Sequence, residues 1–338
     1  MDLSTENTMQ ERVSASRWRF WVLLGANRWL LAGILGACVF FAFVVLGILD
    51  FPTLRTTMET TDPVDTIFQG LVGAIITGTT LVVSINQLVL SQEIGPLGEQ
   101  RARMDTAMDF RQNTDELFGS VSPAKPSLFL RQIIETARDR AAAMKSAVDD
   151  SEDPEMREEV STYVDDLVDN AETAIDELDG ATFGTFDVLM AALDYNYARK
   201  MHDLRRLGEE YEDDLSDEQR RTFRETLEAL TMFGPAREHI KTFYFQWALV
   251  KLSRAILTAA VPALVVAGGM VVFVDATSVP GYLFGVDYMI WVVALAFTIA
   301  VMPFLLFVSY ILRVATVAQQ TLAMGPMVLR DSESPNDE

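Results

Sequence analysis

Seven small or hydrogen-bonding residues, Gly70, Gly73, Thr77, Thr80, Ser84, Gln87 and Ser91, follow one another at alternating steps of three and four. At ~100° per residue they fall within an arc of about 100° on an α-helix. Hydroxyl and amide groups on one such line have two uses in a membrane. Facing a water-filled path between subunits, rings of Thr80, Ser84, Gln87 and Ser91 replace part of an ion's hydration shell at modest cost. Facing neighbouring helices, the same groups make interhelical hydrogen bonds that average only ~0.6 kcal/mol each. The sequence leaves both readings open. A path needs a homo-oligomer, because four spans per subunit leave little interior of their own. No acidic or basic residue lies inside the spans, so the signature of a proton pump or proton-coupled transporter is missing.

Other residues with chemical potential stand nearby. Thr79 and Asn86 fall on the other side of the same helix, and Val82 and Val89 fall on a face expected to meet lipid. Asn86 is costly against lipid, so an interhelical polar contact is expected there, with a ligand role as the alternative. Pro262 and Pro303 lie at similar depths in the third and fourth spans. Each removes a helical hydrogen bond and crowds the preceding turn, giving either a hinge or a static bend. Arg101, Arg103, Lys251, Arg254 and Arg313 form a basic collar at the ends of the spans. It either holds anionic headgroups or is the ordinary topology signal.

The elements that must carry these residues follow from apolar length. Trp29–Leu49, Thr66–Gln92, Ala255–Val274 and Tyr288–Leu312 are uncharged and each is about as long as a bilayer-crossing helix requires. In the first span, Gly33 and Ala37 give a small-xxx-small spacing that permits close helix contact. Ahead of it, Arg12, Arg17, Arg19 and Arg28 interleave with Trp18, Phe20 and Trp21. That pattern reads as a helix in the headgroup region or as an extension of the span. It does not read as a cleavable signal peptide, and residues 1–10 are expected to be disordered. Arg28, Arg101, Arg103, Lys251, Arg254 and Arg313 share one end of the four spans, and the opposite loops carry only Arg55. By the excess of Lys and Arg, both termini and the large acidic region are expected to be cytoplasmic.

That acidic region reads as helical. Leu130, Ile134, Ala137, Ala141, Met144 and Val148 keep a three-four rhythm, and so do Val160, Val164, Leu167, Ala171, Ala174 and Leu178. A third rhythm runs through Phe186, Met190, Leu193, Tyr197, Leu204, Leu207 and Tyr211. Asp153 before Pro154 predicts a capped helix start, and Ser216 with Gln219 predicts a capping box. The last helix is expected to meet Gly234-Pro235 and resume at Ala236. The pattern suits either a bundle or a coiled-coil stalk.

Composition bounds the chemistry. The 338 residues are 50% hydrophobic with a formal charge of −21, so apolar and acidic residues must be segregated. Nucleic acid does not fit so acidic a surface. The acidic, lysine-poor exterior suits concentrated salt, or is an ordinary solvated face. The single cysteine, Cys38, allows no internal disulfide, and His202 and His239 do not form a ligand pair. Asp149–Asp153, Asp165–Asp169 and Glu209–Asp214 lack the calcium-loop spacing and its central glycine. No phosphate loop, nucleophile elbow or zinc pattern is present, so no enzyme activity, cofactor or metal is expected.

Two stretches, VSINQLVLSQEIGPLGEQR at Val83–Arg101 and REHIKTFYFQWALVKLSR at Arg237–Arg254, resemble an uncharacterised group of haloarchaeal integral membrane proteins. The resemblance implies a cytoplasmic membrane in a salt-rich cell and carries no activity or site residues. The sequence therefore predicts an all-α protein with four transmembrane helices in the lipid bilayer. Residues 1–28 form a cytoplasmic or interfacial segment, 29–92 the first two spans, and 93–254 an acidic helical cytoplasmic domain. Residues 255–312 form the last two spans and 313–338 a cytoplasmic tail. The expected function is an oligomeric channel lined by the second span and gated or assembled by the helical domain. The alternative is a membrane-anchored scaffold whose helical domain binds a cytoplasmic protein partner.

Overall fold

The computed structural model describes residues 21–49, 53–93, 95–149, 151–181 and 186–321; side chains at 88–90, 92–93 and 319–321 lie outside that description. A π-helical turn, Trp21–Gly25, precedes α1 (Arg28–Leu49), α2 (Leu54–Met58) and α3 (Pro63–Glu93). Then come α4 (Leu97–Phe118), α5 (Pro126–Val148), α6 (Pro154–Leu178), α7 (Phe186–Asp194) and α8 (Tyr197–Glu210). The chain continues as α9 (Asp217–Phe273), a short antiparallel hairpin of β1 (Tyr282–Leu283) and β2 (Val286–Asp287), and α10 (Tyr288–Thr321). Two compact units emerge, a helical domain around Pro96–Phe245 and a membrane unit of Trp18–Gly95 with Gln246–Val317. The expected segment at residues 1–10, most of the basic-aromatic lead and the tail beyond 321 lie outside the described residues.

The helical domain is built on α5 and α6, which run antiparallel. Lys145 near the end of α5 reaches Asp165 at 2.6 Å, and Arg131 near its start reaches Asp179 at 3.5 Å. Both expected stripes face inward without exception, from Leu130 to Val148 and from Val160 to Leu178. Asp153 caps α6 by accepting from the Glu155 and Met156 amides. At α9 the box closes both ways, Ser216 N–H to Gln219 Oε1 at 2.8 Å and Gln219 N–H to Ser216 Oγ at 3.3 Å. These two groups satisfy donors that a helix start leaves open. The domain is a bundle.

Two local expectations differ from what is found. The third rhythm does not form one helix but breaks between α7 and α8 at Tyr195 and Asn196. Asn170 holds the break, donating to Asp194 O at 2.9 Å and accepting from Asn196 N–H at 3.0 Å. Nor does Gly234-Pro235 interrupt α9, which runs unbroken over 57 residues. A Cβ at Gly234 would stand 3.2 Å from the Tyr197 ring, a tight contact that the ring would have to relieve by a few tenths of an ångström.

In the membrane unit, α1, α3, the second half of α9 and α10 are each long and apolar enough to cross a bilayer, the candidate spans of a multi-pass membrane protein. Small residues line much of the interior. Ala260, Ala263 and Ala267 of α9 lie buried against Phe68 and Ile75 of α3 and Val293, Ala296 and Ala300 of α10. Lipid tails are as apolar as these side chains, so close packing replaces hydrophobic collapse as the driving force. On α1 the close approach is made by other residues than Gly33 and Ala37. Gly33 and Ala37 are exposed, and a Cβ on Gly33 would meet nothing within 4 Å. At Gly47 it would stand 2.7 Å from Ile290 Cγ2, and at Gly36 3.3 Å from Met302 Cε. The spacing in sequence marks a small face but not which small face meets a neighbour.

The ends of the membrane unit are tied by arginines. Arg55, after α1, binds Asp287 through Nε and Nη2 at 2.6 and 2.9 Å. It also donates to the carbonyls of Ala276, Ser278 and Val279. The loop between the first two spans is thereby clasped to the hairpin between the last two. At the other end Arg28 is only 3% exposed and donates to Ala26 O at 2.9 Å and Ser309 O at 3.1 Å. Arg313 donates to Ala26 O at 2.6 Å.

Candidate functional site

The site singled out by residue type is the polar stripe of α3. The helix starts at Pro63, whose missing N–H costs nothing at the first position, and Asp62 accepts from the Asp65 amide at 3.1 Å. From there the apolar face is fixed by Val64, Phe68, Ile75 and Val82, all buried. At ~100° per residue the stripe lies on the opposite side of the helix. Every member, Gly70, Gly73, Thr77, Thr80, Ser84, Gln87 and Ser91, is exposed on the chain. A Cβ added at Gly70 or Gly73 would meet nothing within 4 Å. Within a single chain the stripe therefore does not serve as a contact face between that chain's own spans.

Its hydroxyls are held locally. Thr80 donates to Ile76 O at 3.0 Å and Ser84 to Thr80 O at 3.1 Å. Such back-bonding satisfies the donor and leaves the oxygen lone pairs facing outward. Asn86, on the packed side, accepts from Ser253 Oγ of α9 at 2.8 Å, joining the second and third spans. Thr79 on that side donates to Ile75 O. Val82 is not on a lipid-facing surface. It is buried with Leu252 and Ile256, because the protein-facing side of α3 is centred on Phe68 and Ile75. The Val89 side chain lies outside the described residues.

The remaining residues are divided between the two units. Pro303 is buried and Pro262 is exposed, so the two prolines meet different surroundings. Lys251 and Arg254 are exposed, and Lys251 stands 5.8 Å from the Trp247 ring centroid. Arg313 of α10 is half-buried and donates to Ala26 O, just before α1. Arg101 and Arg103 belong to the helical domain, where Arg101 pairs loosely with Asp105 at 3.7 Å.

Sequence reasoning missed a polar cluster inside the helical domain. Lys200 is 0% exposed and paired with Asp166. Its backbone carbonyl accepts from the Tyr163 hydroxyl at 3.0 Å. Burial pulls the Lys200 ammonium below its usual pKa, and the Asp166 carboxylate pulls it partly back. At the rim of this cluster Glu177 is exposed on α6, and partial desolvation with the neighbouring Asp194 carboxyl pushes it up to about 7. Tyr195 packs edge-on to Phe233 at 4.8 Å, and Arg237 lies over the Tyr197 ring at 4.7 Å. The available signal was Lys200 itself, a lysine in a lysine-poor chain within the three-four rhythm of α8. Among the described residues no group of three His, Cys, Asp or Glu side chains is placed to hold a metal ion.

A family model described as a family of unknown function, DUF7972, matches residues 1–338, and the chain belongs to that family. No curated protein and no solved structure matches it.

Proposed function

We propose that this member of the DUF7972 family is a homo-oligomeric membrane pore in which the Thr77–Ser91 face of α3 from several copies turns toward a shared axis. The observation that carries the reading is the position of the stripe, exposed along its whole length and opposite the packed face of its own chain. A face with Gln87 and two glycines gains nothing from lipid, and copies of itself are the complementary cover. Rings of Thr80, Ser84 and Gln87 then supply oxygens in place of water around a passing ion. In this reading the helical domain assembles or gates the path and does no catalysis. The excess of Lys and Arg at one end supports a cytoplasmic side for that domain and for the segments flanking the spans. The acidic, lysine-poor exterior fits a salt-rich cytoplasm.

The test is cysteine accessibility in a Cys38→Ala background. Single cysteines at Thr80, Ser84 and Gln87 are compared with Ile85, on the exposed flank, and Val82, on the packed side. A small charged thiol reagent is expected to modify the three stripe positions and neither control. Ser84→Leu is then expected to abolish ion flux in reconstituted vesicles while leaving assembly intact. A stripe that stays dry, or flux unchanged by Ser84→Leu, overturns the pore. The stripe would then be a seam between copies, and the protein a membrane-anchored scaffold whose helical domain binds a cytoplasmic partner.

A further inference from the structure

Between α9 and α10, at the Arg55 end of the membrane unit, residues 276–286 carry no charge. The carboxylates that flank them are engaged. Asp275 accepts from the Thr277 amide at 2.8 Å, and Asp287 is held by Arg55. The hairpin between them displays Tyr282 at 73% exposure, Leu283 at 39% and Phe284 at 89%. Apolar side chains gathered on the outside of a chain mark a contact surface for protein or membrane.

The turn presents Phe284 against its own backbone preference. Tyr282 pairs with Asp287 and Leu283 with Val286, which leaves Phe284 and Gly285 as a two-residue loop. Both have positive φ, +54° and +79°. Such loops take Asn or Asp and then Gly, because other side chains are strained at positive φ. Phe284 meets that cost without filling any space inside the chain, and strain kept at an exposed side chain points to a contact outside it. The base of the hairpin is fixed as well, since Arg55 holds the Ala276, Ser278 and Val279 carbonyls together with Asp287.

The depth of the hairpin identifies the contact. Gly285 and Val286 line one cleft with Gly47 and Ile48 of α1 and Ile290 of α10. The turn thus lies beside the ends of two candidate spans. It stands two residues beyond the Tyr282–Asp287 pair, about 7 Å at 3.4 Å per residue. Each interfacial layer of a bilayer is about 5–8 Å deep, so a hairpin this short stays at the level of the lipid headgroups. Aromatic rings are favoured in that layer, where one end of a tyrosine is apolar and the other wet.

We propose that the Tyr282–Phe284 tip inserts into the bilayer interface, with Phe284 against the upper acyl chains. Through the Arg55 clasp it ties both inter-span loops of this end to the lipid surface. The inference does not depend on the pore, because the stripe of α3 takes no part in it.

The test uses the full chain with Cys38→Ala in vesicles of zwitterionic lipid. A nitroxide is attached at Tyr282→Cys, beside the intact Phe284, or at Thr60→Cys, an exposed position in the polar loop between the first two spans. Its collisions with oxygen, which concentrates in lipid, and with a water-soluble nickel chelate are read by electron paramagnetic resonance. Oxygen is expected to dominate at position 282 and nickel at position 60. Phe284→Asp is expected to shift the label at 282 toward nickel, and Phe284→Leu to leave it in lipid. Nickel dominating at 282 beside the intact Phe284 overturns the proposal. So does a label that neither reagent reaches, which means that another copy or another protein covers the tip. A label at 282 that Phe284→Asp leaves unmoved overturns it too.

Discussion

The helical domain and the membrane unit are both helix bundles, but they are closed in opposite ways. In the domain, large side chains such as Leu130, Leu167, Tyr195 and Phe233 are wholly buried, and the charged surface faces water. In the membrane unit Ala263, Ala267, Gly36 and Gly47 share the contacts with a few large residues such as Phe68 and Met289, while Phe41, Leu46, Val265 and Phe304 point outward. Water rewards burial of apolar area; lipid does not, so close approach and a few hydrogen bonds must hold the spans. The comparison explains why α3 keeps its polar face outside: its packed side is already filled by Phe68, Ile75 and Val82.

The sharpest way to break the comparison is to attack the polar group the domain does bury. Asp166→Ala leaves the Lys200 ammonium without its carboxylate in a closed core. It is expected to cost about 3–5 kcal/mol, read by chemical denaturation followed by circular dichroism. Replacing the pair together, Asp166→Leu with Lys200→Met, should recover most of that loss, because an apolar core needs no ion pair.

The membrane unit should instead be most sensitive at its clasp. Arg55→Ala removes the bonds to Asp287 and to three carbonyls at once. A loss of about 3 kcal/mol is expected in thermal unfolding in detergent, and Arg55→Lys should not restore it, since an ammonium cannot reproduce the fork.

Glycine substitutions sharpen the contrast at smaller scale. Gly47→Ala drives a methyl group into Ile290 and is expected to cost about 1–2 kcal/mol. Gly33→Ala meets open space and should stay within about 0.5 kcal/mol. Equal effects at the two positions would mean that α1 approaches α10 differently in the membrane.

The smallest effect is one of pH. The Glu177 carboxyl titrates at about 7 in the folded domain against an ordinary 4.5. A raised folded value means that the folded state holds the proton more tightly. Its contribution to stability is complete below about 4.5 and is lost as pH rises through about 7. Discounted for partial solvent contact, the loss between pH 5 and 8 is about 1 kcal/mol. Glu177→Gln should flatten that dependence in denaturation curves taken across the range.

The helical domain was largely legible in the sequence because its solvent contrast is strong. The faces of α5 and α6, the Asp153 cap and the Ser216–Gln219 box follow from patterns spanning a few residues. The break between α7 and α8 was not legible, since it depends on Asn170, more than twenty residues away in sequence. In the candidate site, the stripe and the opposite side holding Asn86 were readable from spacing. The burial of Val82 was not, nor that Ser253 would meet Asn86, because a span with apolar residues on most sides carries no mark of which side meets protein.

Local periodicity and apolar length thus determined, from the sequence alone, the helices, the four candidate spans and the inward stripes of the domain. Tertiary structure alone decided the close contacts at Gly36 and Gly47, the capture of carbonyls by Arg28, Arg55 and Arg313, and the outward turn of the α3 stripe. The physical reason is the solvent. In water hydrophobicity labels the inside, whereas in lipid the inside is decided by shape and hydrogen bonding between segments distant in sequence.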